Sequence, residues 1–301
     1  MTGVTRMTAQ QVTEPVAHHG EGPVWDAATG RLLIVDMLAG VVIDLGEPAP
    51  VASARGAVGV TRHDIGSPVA AALRPRESGG CVVATEHGFG LFDADLRLER
   101  AVPDVVPDAG IRMNDGGCDP QGRFYCGTMA YDETPGAGTL YRLDPDGSTH
   151  TVFGGVGISN GLQWSADGST AYYVDTQQQR IDAFDFDGAS ARFSHRRPFA
   201  RIVPHDGSPD GLTVDAEGGV WTALWHGGQV RRYDASGELT LVIDVPDVTN
   251  TTALAFGGVD LATLYITTSR QGIADEAEPA AGAVFAVTPG VRGGPLPRFA
   301  G

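Results

Sequence analysis

Short runs of alternating apolar and polar residues, separated by glycine-bearing turns, recur along the whole chain. Six segments share one order of features: a Gly or Ala, a short alternating run, a turn containing Gly, and a run rich in β-branched and aromatic residues. Successive segments are spaced by 42 to 50 residues, and they begin at Gly22, Ala70, Gly116, Gly161, Gly211 and Ala253. Period-two alternation between such turns predicts β-strands, and a repeat of this length predicts one structural unit per repeat.

Each repeat continues into a third and a fourth predicted strand. Examples are "GTLYRLDPDGSTHTVF" and "GQVRRYDASGELTLVID", in which Asp-Gly and Ser-Gly pairs supply the turns. The pattern contains no convincing long amphipathic helix. We therefore predict an all-β fold, a six-bladed β-propeller with four antiparallel strands per blade. We expect residues 1–301 to form a single domain, and the segment "QQVTEPVAHH" before Gly20 to complete the last blade and close the ring.

The composition is typical of a turn-dense globular protein, and it limits the expected cellular compartment and binding partners. The 301 residues include 42 glycines and 19 prolines, and 42% are hydrophobic. We expect a cytoplasmic protein, because no apolar run could span a membrane, no secretory signal is visible, and the three cysteines form no paired framework or metal motif. The formal net charge of −16 argues against nucleic-acid and anionic-membrane partners. No obligatory protein partner is evident.

A polar side chain recurs directly before the start of most repeats. The six residues at this position are Glu21, Val69, Asp115, Asn160, Asp210 and Thr252. The first strands of a propeller line its central channel, so we expect these positions to converge there. Carboxylate and amide oxygens from different blades are suited to a hard divalent cation. Calcium is the first expectation, with magnesium, manganese, zinc and ferrous iron as alternatives.

The competing interpretation is that these acceptor-glycine pairs are ordinary turns. A single Asn-Gly or Asp-Gly pair is typical of a turn. The repeats, however, carry separate turn pairs further along, such as Asp167-Gly168 and Glu217-Gly218. The earlier pairs are therefore additional to the turn chemistry, and their recurrence in register indicates a functional site.

Five ordered motifs resemble the gluconolactonase/regucalcin (senescence marker protein) family: "GEGPVWD", "RMNDGGCDPQGRFYCGTM", "ISNGLQWSADGSTAYYVDT", "SPDGLTVDAEGGVW" and "TPGVRGGPLPRFAG". The resemblance extends over nearly the whole chain. It implies a propeller with one divalent cation in the channel and hydrolysis of sugar-acid lactones. It also implies metal ligands at Glu21, Asn160 and Asp210, with Asp210 as general base as well. Arg112 and Asn114 match residues that contact the substrate.

The chemistry of such a site is coherent with these residue types. A cation polarises a lactone carbonyl while water attacks it, and a nearby carboxylate can take the proton from that water. Asp132 is a third candidate for substrate contact, although it follows Tyr131 where the family often has an acidic pair. Asp115 has two alternative roles, which are to orient a metal ligand or to hold its own loop.

His18 and His19 precede Glu21, and we interpret them as a surface strand pair rather than as metal ligands. Adjacent residues of a strand point to opposite faces, so both could not reach one cation. Two alternatives to a sugar lactonase remain open. One is a related propeller hydrolase acting on other lactones or on organophosphate esters. The other is a non-enzymatic propeller that binds calcium.

Overall fold

Residues 3–47, 59–274 and 277–301 are described by the structure, which is a computed structural model. In these ranges the strands form six sheets that follow one another along the chain, which confirms the predicted all-β, six-bladed propeller. The prediction of one domain over residues 1–301 extends partly outside the described residues and stays a prediction. No helix in the described ranges has the length and apolar composition needed to cross a membrane.

The strands are numbered along the chain, and two short ones precede the first blade: β1 (Thr5–Thr8) and β2 (Gln10–Gln11). Blade 1 contains β3 (Gly20–Asp26), β4 (Arg31–Asp36), β5 (Val41–Asp44) and β6 (Thr61–Asp64). Blade 2 contains β7 (Ala72–Pro75), β8 (Cys81–Ala84), β9 (Phe89–Phe92) and β10 (Leu98–Val102). Blade 3 contains β11 (Ile111–Cys118), β12 (Phe124–Ala130), β13 (Gly138–Leu143) and β14 (Thr149–Val156).

The second half of the ring repeats this order. Blade 4 contains β15 (Ser159–Trp164), β16 (Thr170–Asp175), β17 (Arg180–Asp187) and β18 (Arg192–Arg201). Blade 5 contains β19 (Ser208–Val214), β20 (Val220–Trp225), β21 (Gln229–Tyr233) and β22 (Leu239–Asp244). Blade 6 contains β23 (Thr251–Gly257), β24 (Thr263–Thr268) and β25 (Phe285–Val287). Short 3₁₀ turns lie at Met37–Ala39, Thr176–Gln178 and Pro204–Asp206.

The ring is closed by β2, which pairs antiparallel with β25 in blade 6. This confirms the predicted closure, although only the first two residues of the proposed segment form the strand. The strand β1 was not predicted, and it adds a fifth strand to blade 5 by pairing parallel with β22. The outer edge of β22 is therefore covered, which removes a row of unpaired backbone groups.

The first strand of each blade contacts the first strands of both neighbouring blades around the whole ring, so these strands surround the channel. Five of the six first strands carry a β-bulge, where the pairing register shifts. Only the shorter β7 pairs without a shift. A bulge bends its strand and re-aims a side chain. The predicted acceptor positions Glu21, Asp115, Asn160 and Asp210 all fall at these bulges.

In blades 4 and 5, close packing between blades requires the glycine that follows the acceptor. A Cβ atom on Gly161 would lie 2.3 Å from the Cβ of Leu212, and one on Gly211 would lie 2.6 Å from the Cβ of Ala253. Both contacts join the first strand of one blade to the first strand of the next. Only glycine permits this approach, so the channel wall is tight where blades 4, 5 and 6 meet.

The C-terminal segment, residues 288–301, lies across the turns at the end of the first strands opposite the acceptors. Its Arg298 pairs with Asp26 (Nη1 to Oδ1, 2.9 Å), and the Phe299 N–H donates to the Pro75 carbonyl (2.9 Å). The Phe299 side chain is buried against the core of blade 2. The segment thereby ties blades 1 and 2 together and leaves the other end of the channel for the candidate site.

Candidate metal centre

Glu21, Asn160 and Asp210 stand at equivalent bulges of blades 1, 4 and 5, and all three are only 4–5% exposed. The side chains of Asn160 and Asp210 lie close together, and the carboxylates of Glu21 and Asp210 are close enough to repel each other. The Glu21 carboxylate also accepts the backbone N–H of Gly22 (3.2 Å). The structure therefore brings together the three side chains that the resemblance implied as metal ligands.

Within the described residues, no basic side chain forms an ion pair with either carboxylate. Burial raises the pKa of Glu21, and the nearby Asp115 raises it further, while Arg112 opposes this only weakly. Burial raises the pKa of Asp210 well above its usual range, and repulsion from Glu21 and Asp115 adds to the effect. Burying like charges together is unfavourable unless a cation or a proton neutralises them. This donor set fits a divalent cation.

Asp115 lies beside these carboxylates, and its two alternative roles, orienting a metal ligand or holding its own loop, stay predictions. Its Oδ1 accepts the Gly116 N–H (2.6 Å), which holds its own loop. Burial raises the pKa of Asp115, and Arg74 partly opposes this. Among the described residues, no three side chains of the His, Cys, Asp and Glu types are grouped closely enough to hold a metal ion. The candidate set is instead two carboxylates and one amide, which leaves coordination positions for water or substrate.

Arg112 and Asn114, the predicted substrate contacts, are buried next to the candidate ligands. The Arg112 Nη1 donates to the Asn114 Oδ1 (2.7 Å), and the Asn114 Nδ2 donates to the Ser159 carbonyl (2.8 Å). The same Nδ2 lies 3.4 Å from the Asn160 Oδ1. Both ends of the Asn114 amide are thus engaged, so Asn114 connects Arg112 to a candidate ligand. Direct substrate contact by Asn114 stays a prediction.

Asp132 lies apart from this group on an exposed loop. Its Oδ1 accepts hydrogen bonds from the backbone N–H (3.0 Å) and the hydroxyl (2.7 Å) of Thr134, so the carboxylate closes its own turn. The preceding Tyr131 is closer to the site: its ring centroid lies 5.8 Å from the Arg112 guanidinium carbon. Its hydroxyl donates to the Glu86 Oε1 (2.6 Å). Substrate contact by Asp132 stays a prediction, and Tyr131 is the loop residue that the structure places beside Arg112.

The interpretation of His18 and His19 as a surface strand pair is wrong for His19. His19 is buried, its Nδ1 lies 2.7 Å from the Ser269 Oγ, and its ring packs edge-on against Trp225 at 5.9 Å. Burial, aided by the charge of Arg112, lowers the pKa of His19 to about 3, so its imidazole is neutral. The available signal was its spacing two residues before Glu21, because alternate strand residues share a face. His18 is exposed, as expected.

Most of this chain is similar in sequence to known proteins. Residues 19–270 match the family model described as the SMP-30/Gluconolactonase/LRE-like region. The chain belongs to this family. It is 36% identical over 295 residues to regucalcin of Oryctolagus cuniculus, covering 94% of this chain and 95% of that protein. The family prediction is confirmed, and membership together with the fold supports a lactonase-like function.

Solved structures agree over nearly the full length. The calcium-binding protein regucalcin from Agrobacterium tumefaciens str. C58 superimposes with a TM-score of 0.87 at 29% identity, covering 99% of each chain. A luciferin-regenerating enzyme superimposes with a TM-score of 0.83 at 29% identity, covering 94% of this chain and 96% of that one. The family architecture is therefore retained around the entire ring.

Proposed function

We propose that this protein is a metal-dependent lactonase that hydrolyses the lactone of a sugar acid to the free aldonic acid. The observation that carries the proposal is the convergence of Glu21, Asn160 and Asp210 from three blades, with two buried carboxylates whose mutual repulsion is only weakly offset by Arg112. Membership in a family whose description includes gluconolactonase supports the lactone as substrate.

A divalent cation would be held by Glu21, Asn160 and Asp210. Calcium is the first candidate, because the donors are hard oxygens and the relative from Agrobacterium tumefaciens is described as calcium-binding. Magnesium, manganese, zinc and ferrous iron remain alternatives, since oxygen-rich sites accept several divalent ions. When bound, the cation would supply polarisation of the lactone carbonyl and stabilisation of the negative charge that develops on its oxygen.

The surrounding side chains would position the substrate and move the proton. Arg112 offers guanidinium donors to the lactone oxygens, and Asn114 holds that guanidinium through its Oδ1. Asp210 is the proposed general base, which accepts a proton from water as the water oxygen bonds to the carbonyl carbon. The ring C–O bond then breaks, the ring oxygen gains a proton to become a hydroxyl, and the new acid ionises.

This proposal is tested by following acid release from a panel of aldonolactones in weak buffer. The protein is stripped of metal and resupplied in turn with calcium, magnesium, manganese, zinc or ferrous iron. We expect metal-dependent hydrolysis of one or two lactones by the wild type, and none by Asp210→Ala. Asp146→Asn is the matched control, because Asp146 is an exposed turn carboxylate that bonds to Ser148.

Absence of hydrolysis across the panel by metal-loaded wild type would overturn the proposal. Turnover of organophosphate esters under the same conditions would then favour the related hydrolase. Cation binding without any ester hydrolysis would favour the binding protein.

A further inference from the structure

We propose that Thr176 is a positioning residue whose hydroxyl sets the orientation of the Asn160 amide, so that the amide oxygen is the end available to a cation. This inference rests on the proposed metal site at Glu21, Asn160 and Asp210. It assigns a specific task to a residue that lies outside the candidate ligand set.

The backbone holds Thr176 firmly at the start of a 3₁₀ turn. Strand β16 ends at Asp175, and the Thr176 N–H donates to the Ile158 carbonyl (3.0 Å) just before β15. The turn is closed by the Gln179 N–H, which donates to the Thr176 carbonyl (3.0 Å), with Gln179 in the left-handed region at φ 52°. These bonds fix the Thr176 backbone beside the strand that carries Asn160.

The hydroxyl of Thr176 has two partners, in blades 4 and 5. It lies 2.9 Å from the Pro209 carbonyl oxygen and 2.8 Å from the Asn160 Nδ2. A carbonyl can only accept, so the single hydroxyl hydrogen is committed to Pro209. The Thr176 oxygen therefore presents only a lone pair to Asn160, and only the NH₂ end of the amide can donate a hydrogen bond to it. The hydrogen-bond chemistry therefore determines which end of the Asn160 amide faces Thr176.

The Asn160 Oδ1 is consequently directed away from Thr176, and a second donor agrees with this assignment. The Asn114 Nδ2 lies 3.4 Å from that oxygen, on the side of Arg112. The two ends of an amide have nearly the same shape, so packing alone cannot distinguish them. A reversed amide would present hydrogens to the cation in place of an oxygen. Orientation of this residue is thus a requirement for metal binding.

The same hydroxyl also connects two candidate ligands. Pro209 directly precedes Asp210, so the bond to its carbonyl fixes the strand that carries the second ligand. Thr176 thereby joins the ligand strands of blades 4 and 5 through one side chain. Partners of this kind around metal ligands typically contribute about 10- to 100-fold in metal affinity.

The test is calorimetric titration of calcium into metal-stripped wild type, Thr176→Val and Thr176→Ser. Valine preserves the side-chain shape without the hydroxyl, and serine preserves the hydroxyl. We expect Thr176→Val to bind about 10- to 100-fold more weakly, and Thr176→Ser to bind within about threefold of wild type. Thr251→Val is the matched control, because Thr251 is buried and its hydroxyl, like that of Thr176, joins two blades. The Thr251 oxygen in blade 6 lies 2.9 Å from the Leu224 carbonyl oxygen in blade 5.

Thermal unfolding of the metal-free proteins separates positioning from a purely structural role. We expect the two valine variants to have similar melting temperatures, while only Thr176→Val loses affinity. Thr176→Ala also removes the hydroxyl, so its calcium affinity tests the same contact if valine disturbs the turn. Equal calcium affinity in wild type, Thr176→Val and Thr176→Ala would overturn the inference and leave the metal site intact. Absence of binding of any divalent cation by wild type would overturn the metal site and the inference together.

Discussion

Blades 1 and 4 present their candidate ligands through the same local architecture. In each, the second strand ends at a buried aspartate whose carboxylate accepts two backbone N–H groups leading into the first strand. These bonds run to Asp36 from His18 and His19 (3.1 and 3.0 Å), and to Asp175 from Gly157 and Ile158 (both 3.2 Å). A three-residue 3₁₀ turn follows in both blades and ends before a left-handed residue. The repeat therefore supplies a common scaffold.

The difference lies in the first residue of that turn, which is Met37 in blade 1 and Thr176 in blade 4. Met37 is buried, and its sulfur lies 3.3 Å from the Arg112 Nη1. Thr176 instead bonds to the ligand amide of Asn160. The two oxygens of the Glu21 carboxylate are chemically equivalent, so blade 1 needs no partner to select an end. An amide does need one, and the turn residue of blade 4 provides it.

The largest effect is expected from removing a carboxylate ligand. Glu21→Ala and Asp210→Ala should each abolish metal binding and lactone hydrolysis. The loss of metal affinity should exceed the roughly 100-fold that removing a hydrogen-bond partner of a metal ligand typically causes. The metal-free variants should remain folded, because each substitution removes a buried carboxyl group from a cluster in which like charges repel. Calorimetry, hydrolysis assays and thermal unfolding check these three outcomes. Full turnover in either variant would reject the site assignment.

The second prediction concerns a variant in which the ligand of blade 4 is a carboxylate, as it is in blade 1. In an Asn160→Asp background the ligand has two equivalent oxygens, so the hydroxyl of Thr176 loses its orienting role. Adding Thr176→Val should then change calcium affinity by no more than about threefold, compared with about 10- to 100-fold in the wild-type background. The four proteins form a double-mutant cycle measured by calorimetry. An undiminished loss in the Asn160→Asp background would show that Thr176 acts through Pro209 alone.

The third prediction concerns the pH dependence of the metal-free protein. Burial raises the pKa of Glu21 from about 4.5 to about 8, so the folded state retains a proton that the unfolded state has lost. The free energy of unfolding should therefore decrease as pH rises through this window, by at most about 1.4 kcal/mol per pH unit for this group. Thermal unfolding across the window measures the slope, which Glu21→Gln should flatten. If the free energy of unfolding of wild type increased over the same window, Glu21 would not have the raised pKa that burial and repulsion predict.

The smallest effect is expected from the turn residue of blade 1. Met37→Leu keeps the buried volume and should cost less than about 1.5 kcal/mol of stability. Calcium affinity should stay within about threefold of wild type, because no hydrogen bond in the described part of the chain joins the Met37 side chain to Glu21. Titration of this variant beside Thr176→Val compares the two blades directly. A tenfold or greater loss of affinity in Met37→Leu would mean that the turn in blade 1 also positions its ligand.

The sequence was sufficient to predict the fold and the convergent acceptors, because both depend on local periodicity. Alternation and turn pairs repeat in register, so the bulge positions of Asn160 and Asp210 could be aligned without coordinates. The strand β1 was missed because Thr5–Thr8 is a short polar segment that pairs with residues more than two hundred positions away.

The burial of His19 and the task of Thr176 depend on partners from other parts of the chain. His19 is enclosed by Ser269 and Trp225, and Thr176 bonds to Pro209 across 33 residues. No local pattern distinguishes Thr176 from its neighbours in the polar run "TQQQ". Such contacts arise only once the ring has closed, which is why the scaffold was predictable and the orientation of its ligands was not.

The most direct test of the metal centre is a crystal structure of the protein loaded with manganese, located by its anomalous scattering. The proposed metal centre requires one ion in the channel, bound by the carboxylates of Glu21 and Asp210 and by the Oδ1 of Asn160, with the Asn160 Nδ2 still bonded to Thr176. An ion bound elsewhere, or no ion among these three side chains in crystals grown with saturating manganese, would contradict it.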